Sequence, residues 1–310
     1  MMPAKIAVIG ECMIEMSGKP FHTQTQAFGG DTLNTAIYLS RLLPDATLSY
    51  ITALGTDEYS DLMQQAWQNE GIDCQFVFRD KYKLPGLYAI TTSDDGERSF
   101  HYWRSDSAAK QLCDQPGFSA ALSYMRTCDL IYLSGISLAI LPEHAKVKLL
   151  NALQDLKARG VTIAVDSNYR PKLWLSHTAA REWMSQLYQL ADLALLTVDD
   201  ENLLYQTPLA TPEQVAERVA GLGVTQIVLK LGKEGAIWYQ QGQSEAVPAE
   251  VITHIVDTTA AGDSFNAAFI AAKLQGKGLS ECCQWGNKLA GTVIQHRGAI
   301  IAKEQLPALV

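Results

Sequence analysis

The 310 residues carry a formal net charge of −8 and a pI near 5.3, which argues against the clustered Lys and Arg surface that holds nucleic acid. Hydrophobic residues at 47% and charged ones at 19% describe an ordinary globular chain long enough to bury a large core. Met1 to Gly10 holds one lysine and a strand-length apolar run that meets Glu11 at once, too little for a signal peptide or a membrane span, so a cytoplasmic protein is expected.

Ile6 to Ile9 is a continuous apolar run, the form of a strand covered on both faces of a parallel sheet. Glu11 to Phe28 alternates irregularly around Gly18 and Pro20 and reads as extended chain and turns leaving the core. Gly29-Gly30-Asp31 opens a helix to about Leu43; Asp31 or Thr32 serves either as its N-cap or, with Asn34, as a polar group for a small polyol that bare glycines let approach. Leu48 to Leu54 reads as a strand, followed by a helix around Asp61 to Asn69. Leu87 to Thr92 and Ser99 to Trp103, rich in aromatic and β-branched residues and joined across Asp95-Gly96, predict a hairpin.

Beyond Leu130 the alternation is regular. Strands are expected at Leu130 to Ser134, Val161 to Val165, Leu193 to Leu196 and Ile227 to Leu231, with helices from about Pro142 to Arg159 and Thr178 to Ala191. Thr211-Pro212-Glu213-Gln214 combines an N-cap, a proline at the first helical position and a capping-box glutamine. Ala236 to Val247 reads as a hairpin, and the last helix covers about Glu281 to His296. The expected fold is α/β, one domain over 1–310 built on a doubly wound, mostly parallel sheet, with a small β lid from segments near 11–28 and 84–105. Six cysteines, at 12, 74, 113, 128, 282 and 283, form no CxxC pair and are read as reduced, packing thiols.

Asp257-Thr258-Thr259-Ala260-Ala261-Gly262-Asp263-Ser264-Phe265 reads as a strand end at Ile255-Val256, a turn of small residues, and a helix starting near Asp263. The first N–H groups of a helix lack partners within it and carry partial positive charge, so an anion can rest against the bare backbone of Ala260, Ala261 and Gly262. Asp263 is either a charge-complementing first-turn residue or a general base for an attacking hydroxyl. Position 260 matters only if it needs positive φ, where alanine is strained.

The DTTAAGD stretch resembles the D-T-x-G-A-G-D signature of the ribokinase-like carbohydrate kinases, and Gly29-Gly30 with Asn34 resembles their N-terminal sugar-binding signature. The resemblance spans essentially the whole chain and implies Asp263 as catalytic base, an anion hole at residues 260–262, and Gly29, Gly30, Asp31 and Asn34 in substrate binding. Segments GECMIEM, LPGLYAI, HYWR, NYRPKLW and others are most similar to the branch acting on 2-keto-3-deoxygluconate, whose terminal hydroxyl ATP would phosphorylate. In that branch Tyr88, Tyr102, Arg104 and Arg170 contact substrate. Both arginines read otherwise as surface residues, with Trp103 and Tyr169 in the core. The nucleotide would meet Asn168, Thr197, Lys230, Gly232, Gly235, Ala260, Gly262, Asn287 and Ala290. Magnesium is expected through phosphates and waters, with Asp200 in a weakened N-x-x-E element (197–200), and a monovalent cation is left open. Fructose, ribose or 2-keto-3-deoxygalactonate as acceptor, or a non-catalytic sugar or nucleotide sensor, remain alternatives. The lid offers a surface for a homo-oligomer.

Overall fold

A computed structural model describes residues 3–92 and 98–309. Its strands run Lys5–Ile9 (β1), Met13–Gly18 (β2), Gln24–Gly29 (β3), Thr47–Leu54 (β4), Val77–Arg79 (β5), Leu87–Thr92 (β6), Arg98–Trp103 (β7), Leu130–Ser134 (β8), Thr162–Asp166 (β9), Leu193–Thr197 (β10), Gln226–Lys230 (β11), Ala236–Gln240 (β12) and Gln243–Val247 (β13). Its α-helices run Asp31–Leu42 (α1), Glu58–Asn69 (α2), Phe118–Met125 (α3), Gly135–Ala139 (α4), Glu143–Ala158 (α5), His177–Leu190 (α6), Val198–Tyr205 (α7), Pro212–Ala220 (α8), Ala261–Leu274 (α9) and Leu279–Val293 (α10).

Among the described residues a nine-stranded sheet has the order β13-β12-β11-β10-β9-β8-β1-β4-β5, parallel except for the antiparallel β12 and β13 at one edge. In β1, Ile6 and Val8 pack into the apolar cluster on one face, and Ala7 and Ile9 into that on the other. A strand buried on both faces has no polar side to show, so its sequence is an unbroken apolar run. The chain builds outward from β1 through β4 on one side, then crosses to β8 on the other. Ligands of such sheets bind beyond the C-terminal strand ends, near this reversal.

A second sheet, order β3-β2-β6-β7, takes its strands from two separate segments, with β2 parallel to β6. It matches the expected lid in place. The turn expected at Asp95-Gly96 lies outside the described residues.

Three readings are corrected. Ile255-Val256 is not a strand end: residues 251–258 form an irregular surface segment in which Val251 and Ile255 are exposed, because an apolar pair without a partner strand has no ladder to join. The N-cap of α1 is Gly30, so Asp31 and Thr32 are not caps but lie inside the helix. Trp103, far from the core, is 62% exposed, whereas Tyr169 is buried as read. The capping box at Thr211 and Gln214 forms as expected. All six cysteines are free and buried. Among the described residues no helix is long and apolar enough to cross a membrane.

Candidate active site

Helix α9 is almost wholly buried from Ser264 to Ala272, lying against α1 and α10, and this fixes where its N-terminus points. Four of those buried residues are alanines, which lets neighbouring backbones approach. The turn before it is pinned by Asp257, whose carboxylate accepts from the Thr259 N–H (2.9 Å) and the Gly298 N–H (2.8 Å). Ala260 caps α9 in the left-handed region at φ 60°. A Cβ on Gly262 would meet nothing closer than Lys230 Nζ at 3.6 Å, so the fold itself leaves room for a side chain there. Space kept bare at a helix N-terminus suits an anion.

Asp263 follows, half-buried at the cleft wall with protein packed around its carboxyl. Asn34 Nδ2 donates to its Oδ2 at 2.8 Å, and the Thr35 hydroxyl donates to its backbone carbonyl at 3.1 Å. Burial and the nearby Asp31 charge push this carboxyl above the usual range, against the pull of Asn34 and Lys230. The base candidate is thereby tied to the first turns of α1. Asp31 in turn accepts from Asn168 Nδ2 at 2.6 Å, where Asn168 holds φ 33°.

These groups line a single cleft of about 800 Å³ that also takes in Gly29, Gly30, Tyr88, Tyr102, Arg104, Arg170, Thr197, Asp200, Lys230 and residues 258–262. A Cβ on Gly30 would collide with the Glu11 backbone, so that glycine serves a close approach of two chain segments. Arg104 donates from Nη2 to Glu11, and Tyr88 donates to Glu15. Arg170 Nη1 donates to Asp200 Oδ1 at 3.0 Å. Burial raises the Asp200 carboxyl despite that arginine.

Below the anion turn lies a polar knot. Lys230 Nζ donates to Asp166 Oδ1 (3.2 Å) and Asn266 Oδ1 (3.1 Å), while Asn266 Nδ2 donates to Asp166 Oδ2 (2.7 Å) and the Tyr132 hydroxyl (2.9 Å). It joins the ends of β9 and β11 to α9. Asp166, Asn266 and Tyr132 of this knot, and Glu11 at the cleft wall, are residues that sequence reasoning missed. For Glu11 and Asp166 a signal existed, since each is an acid at the end of an apolar strand run.

The cleft thus gathers most of the residues singled out from the sequence. Gly232, Gly235, Asn287 and Ala290 are not among those lining it. Gly235, at φ 100°, is buried against the backbone of residues 247–249, and Asn287 Nδ2 donates to the Val247 carbonyl at 3.0 Å. Gly232 is exposed, and Ala290 is half-buried on α10. The carboxylates of Glu11, Asp31, Asp166, Asp199, Asp200 and Asp263 outnumber the cations of Arg104, Arg170 and Lys230. A phosphate-bearing ligand entering it needs added positive charge.

Known proteins resemble this chain along nearly its full length. Residues 3–306 match the pfkB family carbohydrate kinase model. A Haemophilus influenzae protein named 2-dehydro-3-deoxygluconokinase is 46% identical, covering 96% of both chains. One of the same name from Escherichia coli K12 is 42% identical over 99% of this chain and 100% of its own. A solved putative ribokinase II from E. coli, in complex with ATP and Mg2+, superposes with a TM-score of 0.84 at 23% identity, covering 99% of this chain and 96% of that one.

Proposed function

Because this chain belongs to the pfkB family of carbohydrate kinases, we propose that it transfers the γ-phosphoryl group of ATP to the terminal primary hydroxyl of 2-keto-3-deoxygluconate, giving the 6-phosphate. The observation that carries the reading is the placement of Asp263 at the N-terminus of α9, beside an unobstructed anion turn and hydrogen-bonded at 2.8 Å to Asn34 in the first turn of α1. A carboxylate so placed reaches both an acceptor hydroxyl and the phosphoryl group it attacks.

Asp263 takes the hydroxyl proton, and its raised affinity for protons makes it the stronger base. The backbone at 260–262 and the α9 dipole stabilise charge developing on the transferring group. Lys230, fixed by Asp166 and Asn266, adds a cation 3.6 Å from where a Gly262 Cβ would stand. Arg104 and Arg170 present guanidinium groups to the acceptor carboxylate, and Tyr88 and Tyr102 wall the same end. The small sheet serves as the lid of one kinase domain, its exposed Trp103 offering a face to a second copy.

The donor set fits magnesium held by one carboxylate, phosphates and water, because Asp200 and Asp199 line the cleft and carboxylates there exceed cations. Bound magnesium supplies charge neutralisation of the ATP phosphates. The test is a coupled ATP-consumption assay over keto-deoxy acids and neutral sugars. Arg104→Ala or Arg170→Ala should cost about 2–5 kcal/mol in kcat/KM for the keto acid, with far smaller changes on neutral sugars. Equal losses on both, or a wild-type preference for fructose, would overturn the acceptor while leaving the kinase.

A further inference from the structure

We infer that the Arg170–Asp200 ion pair is an exchangeable link through which binding of an acidic acceptor and of the metal-nucleotide reinforce one another. The inference rests on the proposed function, taking Arg170 as the carboxylate's partner and Asp200 as facing the metal.

The pair joins two elements. Arg170 sits in the loop after β9, whose Asn168 is bound to Asp31 at 2.6 Å, so its backbone belongs to the acceptor side. Asp200 sits in the first turn of α7. Arg170 Nη1 donates to Asp200 Oδ1 at 3.0 Å and to the Tyr169 carbonyl at 2.8 Å. The arginine side chain is 53% exposed and the aspartate side chain 19%.

The three cations of the cleft differ in how firmly they are held. Lys230, 9% exposed, is fixed by Asp166 and Asn266, and Arg104, 11% exposed, is paired with Glu11, itself 1% exposed. Only Arg170 of these three is more than half in solvent, where an ion pair is weak and its geometry mobile. Its partner is not free to follow, being largely covered and flanked in the cleft by the carboxylates of Asp166 and Asp199.

Two ligands of opposite charge therefore compete for the two halves of one weak pair. A substrate carboxylate that draws Arg170 away leaves Asp200 with only the more distant charge of Lys230 to set against Asp166, which strengthens its attraction for a divalent cation. A cation on Asp200 conversely releases the guanidinium for the acceptor. Linkage makes the two effects equal. A neutral acceptor has no claim on Arg170 and so raises no affinity for the nucleotide.

The test is calorimetric titration of the full-length wild-type chain with magnesium and a non-hydrolysable ATP analogue, with and without saturating keto acid, and in the reverse order. Each ligand should tighten the other by the same factor, about tenfold. A neutral hexose in place of the keto acid should leave nucleotide affinity unchanged. Asp200→Asn, which keeps shape but frees Arg170, should bind the keto acid alone several-fold more tightly than wild type and lose the coupling. If Asp200 only held α7 in place, the same change would weaken the acid. Independent binding of the two ligands, or weaker acid binding by Asp200→Asn, overturns the link while the kinase stands. Failure of wild type to bind either ligand overturns the proposed function and this inference with it.

Discussion

Burial and the nearby Asp31 both oppose a charge on Asp263 and raise its carboxyl above the usual range. A carboxyl whose folded pKa lies above its unfolded value contributes most to stability below the unfolded value, and that contribution is lost as pH rises through the folded one. Chemistry asks for the opposite form. Asp263→Asn should therefore raise the melting temperature relative to wild type at pH 8 more than at pH 5, while turnover falls by roughly two to four decades. Calorimetry at the two pH values and an ATP-consumption assay check both halves; turnover within about threefold of wild type would remove Asp263 as base. Ala260 stands at φ 60° where the ribokinase-like signature that this stretch resembles has glycine, and a left-handed alanine costs roughly 1–2 kcal/mol. Ala260→Gly should stabilise the chain by about 1 kcal/mol in urea unfolding, and an unchanged midpoint would mean the unfolded-state entropy of glycine cancels the relief.

Helix α9 carries Asp263 on its first turn, and its buried length decides how firmly that turn is held. Phe269, fully buried between neighbouring helices, anchors the middle of the element. Phe269→Ala should cost about 3–5 kcal/mol of stability, read as a lower denaturation midpoint with an unchanged slope. A loss under about 1 kcal/mol would show that α9 can collapse onto the cavity. Elements of this kind were legible in the sequence where the signal is short-ranged. The unbroken runs at Ile6, Leu130 and Leu193 are strands, and the Thr211 capping box closes within three residues. Helix α7 escaped notice because Val198-Asp199-Asp200-Glu201 follows β10 with no intervening turn, and the three-residue β5 offers too little pattern. In the site, the anion turn is local and could be read. The partners Arg104 and Glu11 lie 93 residues apart and Lys230 and Asp166 64 apart, so no spacing rule joins them. Arg104 and Arg170 stood out only through family likeness.

At the scale of the molecule, the cleft lies between the large sheet, which contributes Asp166, Thr197 and Lys230 to its lining, and the small one, which contributes Met13, Tyr88 and Tyr102. The small sheet is stitched from Met13–Gly29 and Leu87–Trp103, joined by the parallel pairing of β2 with β6 from Ile14 opposite Leu87. Neither segment owns this sheet. Each half is an antiparallel pair of little independent stability, and α1, β4, α2 and β5 lie between them in the chain, so the seam joins segments far apart in sequence. Pairing across so long a stretch is slow, because loop closure must be met before the contacts repay it. After dilution from denaturant, helical circular dichroism should therefore recover before keto-acid binding, which should appear as a distinct later phase. Coincident single-exponential recovery of both signals would show the seam closing with the core. On that order, a freshly made chain passes through an interval in which its core is complete while β2 and β6, the two strands that meet at the seam, each carry an unpaired edge open to any other strand.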